Sequence, residues 1–194
     1  EKTITQWNDE LEGEVTITLR LTDDDRASDI ESFCRAVARL APHLKLMQEE
    51  GDSEDLPAIE VGDQAVVYHA VPSGTKLSPF LESIRRLSGA GSAGKDRPSP
   101  AGDGAFDRLK ALEVPAFLRL FVAPNCPFCP VVTRQVVSLA AASPLVRVSV
   151  IDGTFFSEVA ESEGVRSAPT LLLDSGFRWS GHLNLDEVIE AMTQ

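Results

Sequence analysis

Cysteine is scarce in this chain: there are three among 194 residues, two of them in a single Cys-x-x-Cys. So few thiols exclude the disulfide scaffold of a small secreted domain. Basic residues are in deficit too, 18 Lys and Arg against 30 Asp and Glu, for a formal net charge of -12 and a pI near 4.6. That balance argues against nucleic acid or an anionic membrane surface as the principal partner. No apolar run approaches the roughly 18 residues of a membrane span, and the opening Glu1-Lys2-Thr3-Ile4-Thr5-Gln6-Trp7 lacks a signal-peptide core. A cytoplasmic location is the expectation. An initiator Met is also missing, which reads as a chain excised from something longer. What is present, 43% hydrophobic residues, suffices for one large domain or two small ones.

The most informative stretch runs from Phe117 through Cys126-Pro127-Phe128-Cys129-Pro130 to Leu139. An apolar run rich in β-formers leads into a proline-bounded turn and then an apolar-periodic helix that opens at Pro130, where a missing N–H costs nothing. Two thiols therefore stand at a strand-to-helix junction. Cys126 falls at or just before the first helical turn, where unpaired N–H groups and the positive end of the helix dipole favour the thiolate. A dithiol relay needs one thiolate to attack and a second thiol close enough to displace the mixed disulfide. This spacing supplies both, with Cys126 as nucleophile and Cys129, one turn in, as the resolving and more shielded thiol. Pro127 stiffens the turn, and Phe128 offers an apolar contact beside it.

Around this stretch the chain reads as two similar halves. Residues 14–21 alternate as a strand, followed by the Thr22 to Asp25 loop and a helix on Ile30, Phe33, Val37 and Leu40, with Ser28 or Asp29 as N-cap. Strands are expected at 43–47, 56–61 and 64–71, and then a helix through Phe80, Ile84 and Leu87, giving β-α-β-β-β-α. Residues 89–104, rich in Gly, Ala, Ser and Pro, read as a flexible linker. Beyond it come a helix at 105–112, the central strand, the Cys-x-x-Cys helix, a strand at 144–151, a helix within 153–164, a hairpin from Ser167 to Trp179 and a closing helix through Met192. Pro57, its hairpin, Gly74 and a helix answer to Pro169, its hairpin, Gly181 and a helix.

These residues resemble the thioredoxin fold in its tandem form. The likeness is carried by Cys126-Pro127-Phe128-Cys129 after a strand and by Val165-Arg166-Ser167-Ala168-Pro169-Thr170-Leu171, which resembles that fold's cis-proline segment. Pro-Asn-Cys-Pro-Phe-Cys-Pro is similar to the second site of the two-unit, glutaredoxin-like protein disulfide oxidoreductases. The whole layout, with Ile151-Asp152-Gly153-Thr154-Phe155, also resembles the N-terminal region of the alkyl hydroperoxide reductase flavoprotein subunit. The resemblance implies an α/β fold of two tandem thioredoxin-like units, a central mixed sheet flanked by helices. Residues 1–88 would form the unit without active cysteines, 89–104 the linker, and 105–194 the unit with the Cys-x-x-Cys. It implies a disulfide oxidoreductase whose only redox group is the Cys126–Cys129 pair, with no metal and no bound cofactor. Protein disulfides, with a peroxiredoxin as one candidate, are the implied substrates, and a thioredoxin-reductase-like flavoprotein is the implied reductant. Pro169 would face the cysteines and present the Ala168 backbone to an extended substrate segment. The buried acid expected six positions before the first Cys is replaced by Leu120, so no base is assigned.

Plainer readings stand beside this one. The pair could ligate zinc, close a small structural loop or bridge an iron–sulfur cluster, although Cys34, His43, His69 and His182 offer no second ligand pair of suitable spacing. Cys34 reads as a buried small hydrophobe, Asp23 to Asp25 as a solvated turn, the three histidines as non-catalytic, and Trp179 and Phe156 as core. Pro57 is a candidate for a second, structural cis-proline. The functional alternative is a non-catalytic redox sensor or adaptor that uses the scaffold for protein binding.

Overall fold

A computed structural model describes residues 1–52, 56–88, 103–110 and 112–193. Helix α1 (Lys2–Asp9) precedes strand β1 (Val15–Leu21), helix α2 (Ala27–Leu40) and strand β2 (Leu44–Glu50). The hairpin of β3 (Ala58–Val61) and β4 (Val66–His69) follows, then a 3-10 turn (Gly74–Lys76) and α3 (Leu77–Leu87). Next come α4 (Asp103–Lys110), β5 (Ala116–Val122), α5 (Cys129–Ala142), β6 (Val146–Asp152) and α6 (Ser157–Ser162). The hairpin of β7 (Thr170–Leu173) and β8 (Arg178–Ser180) and helix α7 (Leu185–Met192) complete the order.

The strands form one mixed sheet in the order β2-β1-β3-β4-β6-β5-β7-β8. β1 runs parallel to β2 and antiparallel to β3, which pairs with β4. β5 repeats this pattern, parallel to β6 and antiparallel to β7, which pairs with β8. Parallel pairing of β4 with β6, from Val66↔Val148 to His69↔Ile151, joins the two sets edge to edge. It follows that β1, β2, β4, β5 and β6 share one direction, and the chain segments leaving β4, β5 and β6 gather at one edge of the sheet. That edge carries the Cys-x-x-Cys.

Alternation builds the core. Val15, Ile17 and Leu19 of β1 are buried while Thr16 is exposed, the period of a strand covered on one face. In α2, Ile30, Cys34 and Val37 recur at helical spacing and face inward. In β5, Leu118, Leu120 and Val122 join the large core shared with α5, whereas Phe121 turns to a second cluster with Ile151, Phe156, Ala160 and Leu172 beneath α6.

Several elements depart from the expectations. Helix α1 stands outside the expected order; its Ile4 and Trp7 are buried three positions apart. The cap of α2 is Arg26, with no side-chain cap bond, instead of Ser28 or Asp29. Asp24 explains the shift: its Oδ1 accepts the Arg26 N–H at 2.8 Å, so the loop before the helix supplies the acceptor. β2 extends through Glu50 because it pairs along the whole of β1, and the strand expected at 64–71 shortens to Val66–His69. Gly62, Asp63 and Gln64 all take positive φ in the preceding turn. Of the expected linker, 89–102 lies outside the described residues, and 103–104 belong to α4.

Candidate active site

β5 brings the chain to the sheet edge at Val122, and Asn125 turns it with φ 59°, a left-handed conformation that Asn tolerates. Cys126 and Cys129 are disulfide-bonded with their Cα atoms 5.5 Å apart. Helix α5 opens at Cys129, one residue before the expected Pro130, which sits within its first turn. The Cys129 N–H, a donor the helix itself cannot satisfy, points at Cys126 Sγ at 3.1 Å. Thr133 Oγ1 donates to the Cys129 carbonyl at 2.8 Å.

Burial grades the two sulfurs. Cys126 is 8% exposed and Cys129 1%; in the disulfide form even the expected nucleophile is largely covered. Pro127 is exposed and Phe128 is 67% exposed, with Val131 beside it at 56%, so the approach to Cys126 is rimmed by apolar surface. On the opposite side the Ala168–Pro169 peptide bond is cis, Pro169 is buried and Ala168 half-buried. Cys126 Sγ lies 3.7 Å from the Ala168 carbonyl oxygen. Thus Cys126, Cys129, Ala168 and Pro169 meet at one place, with Pro127 and Phe128 on its rim. Pro57, the candidate second cis-proline, is not preceded by a cis bond.

Leu120 is fully buried and brings no charge beneath the cysteines. Charged side chains of the first half of the chain instead reach the end of β6, the turn after it and α5. Lys76, in the 3-10 turn, forms an ion pair with Asp152 at the end of β6, both side chains nearly buried. Arg26 reaches the turn after β6: its Nη1 donates to the Phe155 carbonyl at 2.8 Å and meets Glu158 Oε1 at 2.7 Å, and its guanidinium lies 4.0 Å above the Phe156 ring. Asp24 orients it, so the triple-Asp loop is more than a solvated turn. The hydrogen bond from Arg26 holds the Asp24 carboxyl below its ordinary range. Arg134 of α5 binds Glu82 Oε2 and Ser78 Oγ of α3, each at 2.8 Å. Apart from the neighbouring Asp24, the partners of Lys76, Arg26 and Arg134 on other elements lie far away along the chain, so no local sequence signal names them.

Of the remaining singled-out residues, His69 ends β4 at this same edge of the sheet, and the others lie in the core or elsewhere on the surface. Cys34 is fully buried, and burial pushes its thiol up to about 12. Phe156 is fully buried, while Trp179 is half-buried and stacked on the exposed Phe177. His43 contacts the Asn8 carbonyl and His69 the Pro57 carbonyl, each at 3.2 Å, and His182 is exposed. Among the described residues no group of three or more His, Cys, Asp or Glu is arranged to hold a metal ion, and no helix is long and apolar enough to cross a membrane.

Sheet, helix-capped cysteine pair and facing cis-proline define a thioredoxin-fold protein, and the family model described as Thioredoxin domain matches residues 118–194. Among known proteins, the chain is 24% identical over 184 residues to the F subunit of alkyl hydroperoxide reductase from Staphylococcus epidermidis, covering 92% of this chain and 34% of that protein. It therefore spans about a third of the length of the curated relatives it matches. The NTD_N/C domain of alkylhydroperoxide reductase AhpF from Enterococcus faecalis superposes with a TM-score of 0.82 at 20% identity, over 98% of this chain and 96% of that one. A protein disulfide oxidoreductase from Aeropyrum pernix superposes with a TM-score of 0.81 at 16% identity, over 99% and 90%. At these identities the structural likeness is one of fold.

Proposed function

We propose that the chain is a thiol–disulfide oxidoreductase working through Cys126 and Cys129. The observation that carries this reading is the pair itself: two sulfurs in disulfide contact at a helix start, with a backbone N–H directed at Cys126. Reduced, Cys126 attacks a disulfide as the thiolate, favoured by that donor and by the positive end of α5. Cys129 then displaces the mixed disulfide, closing the Cys126–Cys129 bond and releasing the second substrate thiol. Ala168 and Pro169 form the backbone platform for an extended substrate segment, and Pro127 and Phe128 form its apolar flank. The reading needs no bound cofactor.

In this proposal the chain comprises two thioredoxin-like units, 1–88 and 105–194, joined by 89–104, and only the second is armed. The recurrence of the strand pattern in the two halves of the sheet supports that division. Protein disulfides are the proposed substrates. The relatives matched along most of the chain are alkyl hydroperoxide reductase subunits, which supports a relay that takes electrons from a thioredoxin-reductase-like flavoprotein and passes them to a peroxiredoxin in the cytoplasm.

The test is turnover. Wild-type protein with dithiothreitol should accelerate insulin disulfide reduction, and Cys126→Ser should abolish the acceleration while leaving the circular dichroism unchanged. An intact wild type that turns over neither insulin nor an oxidised peroxiredoxin would leave the non-catalytic adaptor as the better reading.

A further inference from the structure

We propose that the Lys76–Asp152 ion pair sets how readily Cys129 becomes a thiolate, so that the first half of the chain supplies the positive charge for the resolving step. This rests on the thiol–disulfide function proposed above. The need for such a group is plain in the core: Leu120 is apolar and fully buried, so β5 places no charge below the resolving sulfur, yet Cys129 must lose a proton before it can attack.

The pair is built into the right side of the sheet. Asp152 ends β6 in register with Val122 of β5, the residue four before Cys126. Alternation puts Asp152 on the face of Val148 and Val150, which is covered by α5. Its Oδ1 accepts the N–H groups of Thr154 and Phe155 at 3.0 and 3.2 Å, which leaves Oδ2 for Lys76. Lys76 in turn lines, with Val122, Val150 and Thr133, a cavity of about 10 Å³, room for one water at most. Thr133 is bonded to the Cys129 carbonyl, and the Cys129 side chain, 1% exposed, turns into the same core. So little solvent space beneath the first turn of α5 leaves a charge there weakly screened.

Among the described residues, the polar groups on the elements around the pair have partners of their own. Tyr68 of β4 is kept neutral by burial and donates to Ser83 Oγ at 3.0 Å. Glu82 of α3 and Arg134 of α5 bind each other. His69, at the end of β4, meets the Pro57 carbonyl and the Phe156 ring. Arg26, from the loop before α2, is bound to Asp24 and Glu158.

Attack of the Cys126 thiolate on a substrate disulfide forms a Cys126–substrate disulfide and frees one substrate thiolate. Cys129 gives up its proton, which neutralises that thiolate. Its sulfur then bonds to Cys126 Sγ, the bond from Cys126 to the substrate breaks, and the second substrate thiolate leaves with the electron pair. The cysteine pair loses two electrons and the substrate disulfide gains them. Lys76 is a positioning residue in this scheme, favouring the charged form of Cys129, while Asp152 holds Lys76 in place and partly opposes it.

Because the two partners carry opposite charges, their removal should act in opposite directions, which a merely structural role would not do. Reduced protein mixed with one equivalent of dithiobis(nitrobenzoate) releases one coloured thiolate on attack and a second on resolution, followed by stopped-flow across pH. Lys76→Met should raise the pH midpoint of the second phase by about one unit, roughly tenfold slower release at neutral pH, and leave the first phase little changed. Lys76→Arg should restore it. Asp152→Asn, which keeps an acceptor for Thr154 and Phe155, should lower the midpoint and supplies the test should Lys76→Met fail to fold. Midpoints that do not move, that move together, or phases that slow in parallel would overturn the assignment. A wild type that releases only the first thiolate would instead overturn the oxidoreductase reading beneath it.

Discussion

Replacing Arg26 with Met should loosen the tie between the loop after β1 and the turn after β6, and its size can be worked from the contacts. The guanidinium sits 4.0 Å over the Phe156 ring, worth about 0.5–1 kcal/mol at a partly exposed site. Its 2.8 Å bond to the Phe155 carbonyl is charge-assisted and adds about 1.5 kcal/mol. The carboxylate partners are 23% exposed for Asp24 and 56% for Glu158, so solvent holds their joint contribution to under about 1 kcal/mol. The Met side chain still covers part of the ring. A loss of about 2–3 kcal/mol follows, which for a chain of this size lowers the urea midpoint by roughly 1–1.5 M.

The pH dependence of that loss has a definite sign. Arg26 holds the folded-state carboxyl of Asp24 below its ordinary value of 3.8. The stability this contributes is fully present above the unfolded value and is lost as pH falls through the lower folded one. Glu158 is lowered as well, chiefly by a backbone hydrogen bond and secondarily by Arg26. The gap between wild type and variant should therefore narrow in acid by the carboxylate share alone, under about 1 kcal/mol, while the ring and carbonyl contacts keep the rest of it. Urea unfolding followed by tryptophan fluorescence at neutral pH and below pH 4 measures both effects. A midpoint shift under about 0.3 M at neutral pH, or one that persists undiminished in acid, would refute the reasoning.

Other outcomes follow from single contacts. Phe156→Ala empties the centre of the cluster under α6, where the ring is fully buried, and should cost about 3–5 kcal/mol in the same unfolding assay. Gly62→Ala should lower the thermal midpoint, because Gly62 has φ 63° and a Cβ there would stand 2.6 Å from Leu87 Cβ; a cost of about 1–3 kcal/mol is expected. Cys34, fully buried with its thiol pushed up to about 12, should resist iodoacetamide at pH 8 in the native protein and react once unfolded in urea, as read by peptide mass spectrometry. Native-state alkylation at Cys34 would contradict its burial.

Local pattern made much of this fold readable. Alternation in β1, the apolar run of β5, the Gly- and Pro-marked hairpins and the proline-opened helix α5 are short-range signals, and the motif residues Cys126, Cys129, Ala168 and Pro169 meet in space. What local pattern could not carry is pairing at a distance. Lys76 and Asp152 are 76 positions apart and Arg26 and Phe155 129 apart, and nothing near either residue names its partner. The same holds for the seam between β4 and β6, since a strand's own pattern records which face is buried and not which neighbour it joins. Helix α1 did leave a trace in the spacing of Ile4, Trp7 and Leu11, all buried, but polar residues surround it and its stability comes from packing against α2. The near-complete cover over Cys126 depends on the Ala168 loop folding back from 42 positions away.

The most direct test of the central claim is the equilibrium redox potential of the Cys126–Cys129 pair, titrated against dithiothreitol or glutathione and read by alkylation and mass spectrometry. A reversible two-electron transition between about -160 and -290 mV, the range of dithiol carriers, is the expected result. A pair that never oxidises, or one locked below about -300 mV as structural disulfides are, would contradict it.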